Sequence, residues 1–139
     1  MFERCLYFNV NALARRVNTI WDQAFAEFGL SPAHAYLLRL VLESPGISQT
    51  RIAAELRLEK STVTRFINVL EDKRLLSRTR AGRETMVNPT AKAKKIQDGL
   101  RQTGDELYQC MLESIGKTEL TELVAGLRNT GSQLAKTGA

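Results

Sequence analysis

The segment between residues 47 and 76 most constrains the fold, because its pattern is that of two short amphipathic helices separated by a very short turn. Ser48 can cap the first helix and Ser61 opens the second, with Leu58-Glu59-Lys60 as the connection between them. Apolar residues at helical spacing define the inner faces, namely Ile52, Ala53 and Leu56 in the first helix and Val63, Ile67 and Leu70 in the second. Two short helices joined in this way predict a helix-turn-helix.

The face of the second predicted helix that points away from its apolar residues is polar. It carries Ser61, Thr62, Arg65 and Asn68, with Thr64 at its edge. Short hydroxyl side chains allow the backbone to approach a DNA duplex closely, and the planar fork of an arginine matches the edge of a guanine. This face therefore suits the major groove, although a generic amphipathic helix with incidental Ser and Thr has the same composition.

A hairpin is predicted directly after these helices. Segments 75–80 and 83–88 fit two short strands around Ala81-Gly82, and Pro89 closes the second strand. A hairpin in this position is a wing, so the sequence predicts a mainly α-helical fold with a small β-hairpin wing. The tip of the wing carries three arginines, a density suited to phosphates or to the narrow minor groove: Arg78, Arg80 and Arg83.

Positive charge is concentrated in the middle of the chain. Residues 47–95 hold twelve Lys or Arg against five Asp or Glu, a net charge of +7, whereas residues 1–46 are neutral and residues 96–139 carry −2. A basic block between near-neutral flanks favours a polyanion partner, since lysine and arginine gain affinity by displacing the counterions of a phosphate backbone. Charge alone is equally consistent with a solvated basic face.

Long amphipathic helices are predicted on both sides of this basic block. The first ends at Gly29 and carries apolar residues at steps of three and four, namely Leu6, Val10, Leu13, Val17, Ile20, Ala24 and Phe28. Ser31-Pro32 begins a second helix, Thr90 caps a long third one, and Gly116 separates it from a last helix. The terminal helices carry more apolar surface than one small winged lobe can cover, so we expect those of two chains to interleave in a homodimer. A monomer that folds its C-terminal helices back over the lobe is the alternative.

Three segments of the chain resemble the MarR (multiple antibiotic resistance regulator) family of bacterial transcription factors. They are GLSPAHAYLLRLV at the second helix, ISQTRIAAELRLEKSTVTRFINVLEDKRLL at the helix-turn-helix, and RTRAGRETMVNPTAKA at the wing and the helix that follows it. The resemblance implies an α-helical homodimer with one winged helix-turn-helix per chain, bound to a near-palindromic operator in double-stranded DNA. It also implies a single MarR-like domain over residues 1–139, with dimerisation helices at 1–29 and 97–139 and a winged lobe at 30–96.

The same resemblance assigns DNA contacts. Ser61, Thr62, Thr64 and Arg65 match the start of the major-groove helix, and Arg83 matches the arginine at the wing tip. With neighbouring polar residues, the predicted DNA-binding set is Ser48, Gln49, Thr50, Lys60, Ser61, Thr62, Thr64, Arg65, Asn68, Arg78, Arg80 and Arg83. The chain departs from the family at Ala81, where the family usually has an aspartate that can orient the wing arginine. It departs again at Pro89-Thr90-Ala91-Lys92-Ala93, where the family usually has Leu-Thr-x-x-Gly.

Members of this family commonly release DNA when a small aromatic or phenolic molecule binds, or when a cysteine is oxidised. The predicted effector contacts combine apolar rings with polar tips, and core or interface residues are the alternative interpretation: Trp21, His34, Tyr36 and Arg39. Cys5 follows Arg4, and adjacent positive charge favours an oxidisable thiolate. A redox-sensing regulator is therefore an alternative to an ordinary helix cysteine at this position.

Other functional classes find little support in the sequence. With a single histidine and two cysteines there is no paired metal spacing, no Ser-His-Asp order with a glycine elbow, and no phosphate-cradling glycine loop. We therefore expect neither an enzyme nor a bound cofactor, and we expect Cys110 to be buried in its helix. No apolar run approaches the roughly 20 residues of a membrane span, and we expect a cytoplasmic protein. A winged-helix module that binds an acidic protein instead of DNA is the remaining alternative.

Overall fold

The computed structural model describes residues 1–137, which form six α-helices and one small antiparallel sheet. The helices are α1 (Leu6–Phe25), α2 (Pro32–Glu43), α3 (Gln49–Leu56), α4 (Lys60–Asp72), α5 (Ala91–Ile115) and α6 (Lys117–Ala135). The strands are β1 (Ile47–Ser48), β2 (Leu76–Ala81) and β3 (Glu84–Pro89), and a single 3₁₀ turn, Ala26–Phe28, follows α1. The predicted mainly α-helical fold with a hairpin wing is confirmed.

Helix starts follow the capping residues that the sequence predicts. The hydroxyl of Ser31 accepts a hydrogen bond from the backbone N–H of His34 (3.2 Å), and that of Ser48 accepts one from the N–H of Arg51 (3.1 Å). Thr90 accepts in the same way at the start of α5. The predicted start of the second helix at Ser61 is wrong by one residue, since α4 begins at Lys60 with Glu59 in the N-cap position.

The wing forms part of a three-stranded sheet in which β3 lies between β1 and β2. Ala81 pairs with Glu84, so a two-residue turn of Gly82 and Arg83 joins the strands of the hairpin. Gly82 has a φ of 63°, a left-handed conformation that glycine adopts without a steric penalty. The short strand β1, which the sequence pattern does not predict, pairs Ile47 with Val87 and so joins the start of α3 to the wing.

The core of the winged lobe is built by α2, α3, α4 and the sheet. On α4 the predicted inward residues Val63, Ile67 and Leu70 are fully buried. They pack in a core whose other fully buried side chains include Phe25, Leu37, Leu38, Val41, Ile52 and Val87. Burial of one face fixes the rotation of α4 about its own axis, so its polar face is held outward.

Two non-glycine residues end helices in the left-handed conformation. Arg57 follows α3 with a φ of 55°, and Arg74 lies just beyond α4 with a φ of 60°. At both ends the next residue closes the helix, since the N–H of Leu58 donates to the carbonyl of Ala53 and the N–H of Leu75 donates to that of Leu70. The left-handed Arg57 keeps the turn between α3 and α4 short, and each left-handed arginine costs about 1 kcal/mol.

The chain divides into two compact units, residues 1–103 and the residues from 104 onward. The first unit contains α1 together with the winged lobe. The helix α5 continues through Gly99 and Gly104 and contributes to both units. The assignment of residues 1–29 and 97–139 to dimerisation stays a prediction. Within residues 1–137, no helix has the length and hydropathy of a membrane span.

Candidate nucleic-acid interface

The outward face of α4 presents polar side chains to solvent along its first three turns. Ser61, Arg65 and Asn68 are exposed, while Thr62 and Thr64 are half-buried. A guanidinium nitrogen (Nη2) of Arg65 donates to Oγ1 of Thr62 at 3.1 Å, so the arginine lies back along the helix towards its N-terminus. Arginine has five N–H donors, and this single bond leaves most of them free for a ligand.

Thr64 connects the two helices of the helix-turn-helix. Its hydroxyl donates to the backbone carbonyl of Lys60 (3.0 Å) and accepts from the side-chain amide of Gln49 at the start of α3 (3.3 Å). Because the single hydroxyl hydrogen is engaged within the helix, Thr64 has only acceptor capacity left for other partners. Gln49 and Thr64 therefore fix the position of α3 against α4.

A cleft of about 190 Å³ lies where the helix-turn-helix meets the wing. Three segments of the chain line it: Gln49 and Thr50 from α3, Lys60 and Thr64 from α4, and Arg83, Glu84 and Thr85 from the wing. Five of these seven residues belong to the predicted DNA-binding set, and the two cations outnumber the one carboxylate. The fold thus gathers polar and cationic side chains that are up to 36 positions apart in the sequence.

Arg78 differs from the other two arginines of the wing. Its Nη2 donates to Oε1 of Glu71 at 2.7 Å, and its Nε donates to Oε2 of the same carboxylate at 3.4 Å. The pair is partly buried and joins β2 to the C-terminal part of α4. Because two nitrogens of the Arg78 guanidinium already donate to one carboxylate, fewer N–H groups are left to contact a phosphate. In the structure Arg78 anchors the wing to α4, and its contact with DNA stays a prediction.

Arg80 and Arg83 remain exposed at the wing tip. Within residues 1–137 neither side chain forms an ion pair in the structure, which leaves their charge available to a polyanion. The family's aspartate would stand at position 81, and here Ala81 lies beside the turn without a side-chain acceptor. The anchor between Glu71 and Arg78 thus acts at the base of the wing, while the tip carries unrestrained cations.

Three of the four predicted effector residues form one cluster. The indole N–H of Trp21 donates to the hydroxyl of Tyr36 at 3.2 Å, and the guanidinium of Arg39 lies 5.4 Å from the centre of the Tyr36 ring. The Tyr36 ring also packs edge-on against Phe25 at 5.7 Å. Tyr36 and Arg39 line an open cleft of about 270 Å³. A ligand contact through these residues stays a prediction.

His34 does not join that cluster. Its ring packs edge-on against Phe66 of α4, with 4.7 Å between ring centres, and Nδ1 lies 2.7 Å from the hydroxyl of Ser31. Burial and, to a smaller extent, the positive charge of Lys73 lower the pKa of His34. These contacts make His34 part of the packing between α2 and α4.

The two cysteines occupy different environments. Cys5 is half-buried in the N-cap position of α1, and its side chain makes no capping hydrogen bond. Cys110 is exposed, so the prediction that it is buried in its helix is wrong for the single chain. Helical periodicity placed Cys110 beside apolar positions, but the surface that such positions cover depends on which neighbour packs there.

Comparisons with known proteins agree with this geometry. Residues 28–84, from the end of the 3₁₀ turn after α1 to the start of β3, match the MarR family. The uncharacterized HTH-type transcriptional regulator YybA of Bacillus subtilis strain 168 is 22% identical over 130 residues, which make up 91% of this chain and 87% of YybA.

Solved structures share the fold at low sequence identity. A MepR–DNA complex from S. aureus has a TM-score of 0.82 and 21% identity, over 95% of this chain and 99% of that one. CouR from Rhodococcus jostii RHA1, bound to p-coumaroyl-CoA, has a TM-score of 0.74 and 21% identity, over 97% of this chain and 94% of that one. These likenesses show that the winged helical fold extends over nearly the whole chain.

Proposed function

We propose that the chain is a member of the MarR family of transcriptional regulators, which residues 28–84 match, and that it binds double-stranded DNA as a homodimer and represses transcription from a near-palindromic operator. The observation that carries this proposal is that Lys60 of α4 and Arg83 of the wing line one cleft, while Arg65 is exposed on the polar face of α4. The helix α4 would enter the major groove, and the wing tip with Arg80 and Arg83 would reach the adjacent minor groove.

The helices outside the lobe support the homodimer. On α1 a line of apolar side chains, Leu6, Val10, Leu13 and Ile20, is between 40% and 53% exposed. On α6, none of the described residues is buried, and the apolar positions Leu123, Val124, Leu127 and Leu134 are 39% to 50% exposed. Helices in proteins gain most of their stability from packing an amphipathic face, so these faces favour a second copy of the chain. A twofold dimer would place its recognition helices about 34–36 Å apart, one turn of DNA.

Regulation by a small molecule is part of this proposal. CouR, a transcriptional repressor, is bound to p-coumaroyl-CoA in its structures, and this bound ligand supports an aromatic effector for the present chain. In the present chain the cluster of Trp21, Tyr36 and Arg39 offers aromatic rings and a cation for an aromatic or phenolic effector. Since its target is the chromosome, the protein would act in the cytoplasm.

A salt titration on a random-sequence duplex tests the DNA-binding step. We expect the logarithm of the association constant to fall linearly with the logarithm of the salt concentration, with a slope of about −0.9 for each phosphate neutralised. Fluorescence anisotropy with a labelled duplex measures this slope. Absence of duplex binding at low salt would contradict the proposal and favour the protein-interaction module.

Two arginine variants distinguish a contact with the DNA backbone from a contact that reads the base sequence. Arg83→Ala should weaken binding to all duplexes alike and make the salt slope shallower by about 0.9. Arg65→Ala should also flatten the preference for an operator selected from genomic fragments, by about 1–3 kcal/mol at one base pair. Arg128→Ala, on α6, removes the same charge outside the lobe and is the matched control. Equal losses on operator and random DNA would refute base reading by Arg65.

The redox alternative is tested separately at Cys5. If oxidation of this thiol releases DNA, peroxide should weaken operator binding of the wild type and leave a Cys5→Ser variant unaffected. A Cys110→Ser variant is the control, because Cys110 is the exposed thiol of the chain. Equal peroxide responses of the wild type and Cys5→Ser would eliminate Cys5 as the sensor.

A further inference from the structure

The C-terminal end of α4 is held from outside the helix-turn-helix. Three consecutive backbone carbonyls just beyond α4 accept hydrogen bonds from two residues at the start of α5. The hydroxyl of Thr90 donates to the carbonyl of Arg74 (2.7 Å), and the backbone N–H of Thr90 donates to that of Leu75 (3.1 Å). The ammonium group of Lys92 donates to the carbonyl of Lys73 (2.9 Å). We call these three bonds the α4–α5 link.

The carbonyls in this link lie beyond the helical hydrogen bonds of α4. In the terminal turn, the N–H of Arg74 donates to the carbonyl of Glu71 at 2.9 Å. The N–H of Leu75 donates to the carbonyl of Leu70, also at 2.9 Å. The left-handed conformation of Arg74 then turns the chain out of the helix, so the next carbonyls leave the helical ladder. The donors that satisfy them therefore come from a different element, the start of α5.

Thr90 has the central place in the link because its hydroxyl bonds to two helices at once. The oxygen accepts from the backbone N–H of Ala93 (3.2 Å), which caps α5, while the hydroxyl hydrogen is donated to Arg74. A hydroxyl has one donor and two acceptor lone pairs, so the two bonds can exist together. Because Thr90 is half-buried, water competes less for them. One side chain thus joins the end of α4 to the beginning of α5.

The α4–α5 link also closes the base of the wing. The whole hairpin, residues 76–89, lies between the two sides of the link, and the bond from Thr90 to Leu75 continues the register of the hairpin by one position. Burial of its apolar face fixes the rotation of α4 about its own axis. The link additionally fixes the position of the C-terminal end of α4 and of the first residue before β2.

We propose that Thr90 is a positioning residue for DNA recognition. Through the α4–α5 link it holds α4 and the base of the wing in the arrangement that fits a duplex, without contacting DNA itself. If the link is broken, the end of α4 must be ordered when the duplex binds, and this cost lowers the affinity. The effect on DNA rests on the proposed function, whereas the link itself is measurable in the free protein.

Native-state amide hydrogen exchange of the full chain without DNA tests the link. Thr90→Asp keeps an acceptor for the N–H of Ala93 but removes the donor, because an ionised carboxylate only accepts. We expect the amides of Arg74 and Leu75 to exchange about fivefold faster, as for the loss of one hydrogen bond, while that of Ala93 stays protected. Thr90→Ser keeps both functions and should exchange like the wild type. Unchanged exchange at Arg74 and Leu75 in Thr90→Asp would overturn the link.

Fluorescence anisotropy over a salt series, on an operator duplex selected from genomic fragments, tests the positioning role. Thr90→Val should bind about fivefold more weakly with an unchanged salt slope, because no phosphate contact is lost, and Thr90→Ser should retain wild-type affinity. Thr121→Val is the matched control, since the hydroxyl of Thr121 donates one turn back within α6, to the carbonyl of Lys117 (2.7 Å). Equal affinity of Thr90→Val and Thr121→Val, or a shallower slope in Thr90→Val, would overturn the positioning role.

Two lysine variants separate the link from the effect of charge alone. Lys92→Met removes the ammonium group that donates to Lys73, and Lys94→Met removes an equal charge from an exposed position two residues further along α5. Lys92→Met should weaken operator binding by about twofold more than Lys94→Met, as expected for one exposed contact. Equal affinities would overturn the part of Lys92 in the link. Absence of duplex binding by the wild type would contradict the proposed function, whereas exchange in Thr90→Asp decides the link without DNA.

Discussion

Replacing Glu71 with glutamine removes one partner of the ion pair that anchors the wing to α4. In the structure this carboxylate accepts two hydrogen bonds from Arg78, at 2.7 and 3.4 Å, and the two side chains are 38% and 29% exposed. Exposed ion pairs contribute about 0–1 kcal/mol, and a two-bond pair that is partly screened from water belongs near the upper end of that range, at about 1 kcal/mol. For a chain of this size that free energy corresponds to about 4 °C in the midpoint of thermal unfolding.

Loss of the ion pair between Glu71 and Arg78 should weaken DNA binding, whereas removal of a negative charge by itself should strengthen it. Removing a negative charge from a DNA-facing lobe should by itself strengthen binding. If the pair positions the wing, however, the variant must order the wing on the duplex, and a cost of about 1 kcal/mol lowers the affinity about fivefold. Asp72→Asn is the matched control, because Asp72 is the next residue, is exposed and forms no ion pair within the described chain. It should bind DNA as well as the wild type or slightly better.

Fluorescence anisotropy on one duplex over a series of salt concentrations measures both quantities. The Glu71→Gln variant should bind more weakly with an unchanged salt slope, because no phosphate contact is lost. Arg78→Gln should behave in the same way, whereas an arginine that contacts phosphate would lose about 0.9 of the slope. The anchoring role is refuted if Glu71→Gln binds as tightly as Asp72→Asn, or if Arg78→Gln makes the slope shallower.

Three further predictions concern stability. Ser48→Ala removes the cap that accepts from the N–H of Arg51 and should lower the free energy of unfolding by about 1 kcal/mol in a urea titration, while an unchanged midpoint would contradict the capping role. Gly126→Ala adds a Cβ in the middle of α6 that would meet no atom within 4 Å, so the free energy of unfolding should rise by about 0.5–1 kcal/mol. A lower free energy of unfolding would indicate that another chain packs against this position. The lowered pKa of His34 means that the folded state binds a proton less readily than the unfolded state, so stability is retained above about pH 6.5 and falls as the pH drops through the folded pKa. His34→Gln should remove that part of the pH dependence in thermal unfolding, and an unaltered pH profile would show that other groups cause it.

Local patterns predicted the helical parts of the lobe well. Capping at Ser31, Ser48 and Thr90 depends only on residues within one turn, and the buried face of α4 depends on the spacing of its own apolar residues. The strand β1 could not be predicted in the same way. It consists of Ile47 and Ser48 alone, too short for an alternating pattern, and exists because β3 pairs with it from 38 to 40 positions away.

The candidate site residues show the same difference between local patterns, which the sequence reveals, and tertiary contacts, which it does not. The sequence shows that Arg78, Arg80 and Arg83 are dense at the wing, but it does not show which of them finds a carboxylate on a different element. Only the packing of β2 against α4 brings Glu71 to Arg78. Likewise, Tyr36 and His34 are two residues apart on α2 and so lie on different faces of the helix, which sends one to the aromatic cluster and the other to Phe66.

The arginines that end α3 and α4 in a left-handed conformation have a further consequence. At such positions glycine is the comfortable choice, and replacing Arg57 or Arg74 with glycine would relax the main chain while lowering the attraction for a polyanion. A more stable main chain and a stronger attraction for a polyanion would therefore favour different residues at these two positions, one before α4 and one after it. The two arginines therefore keep two positive charges on the winged lobe at a cost of about 1 kcal/mol each in stability.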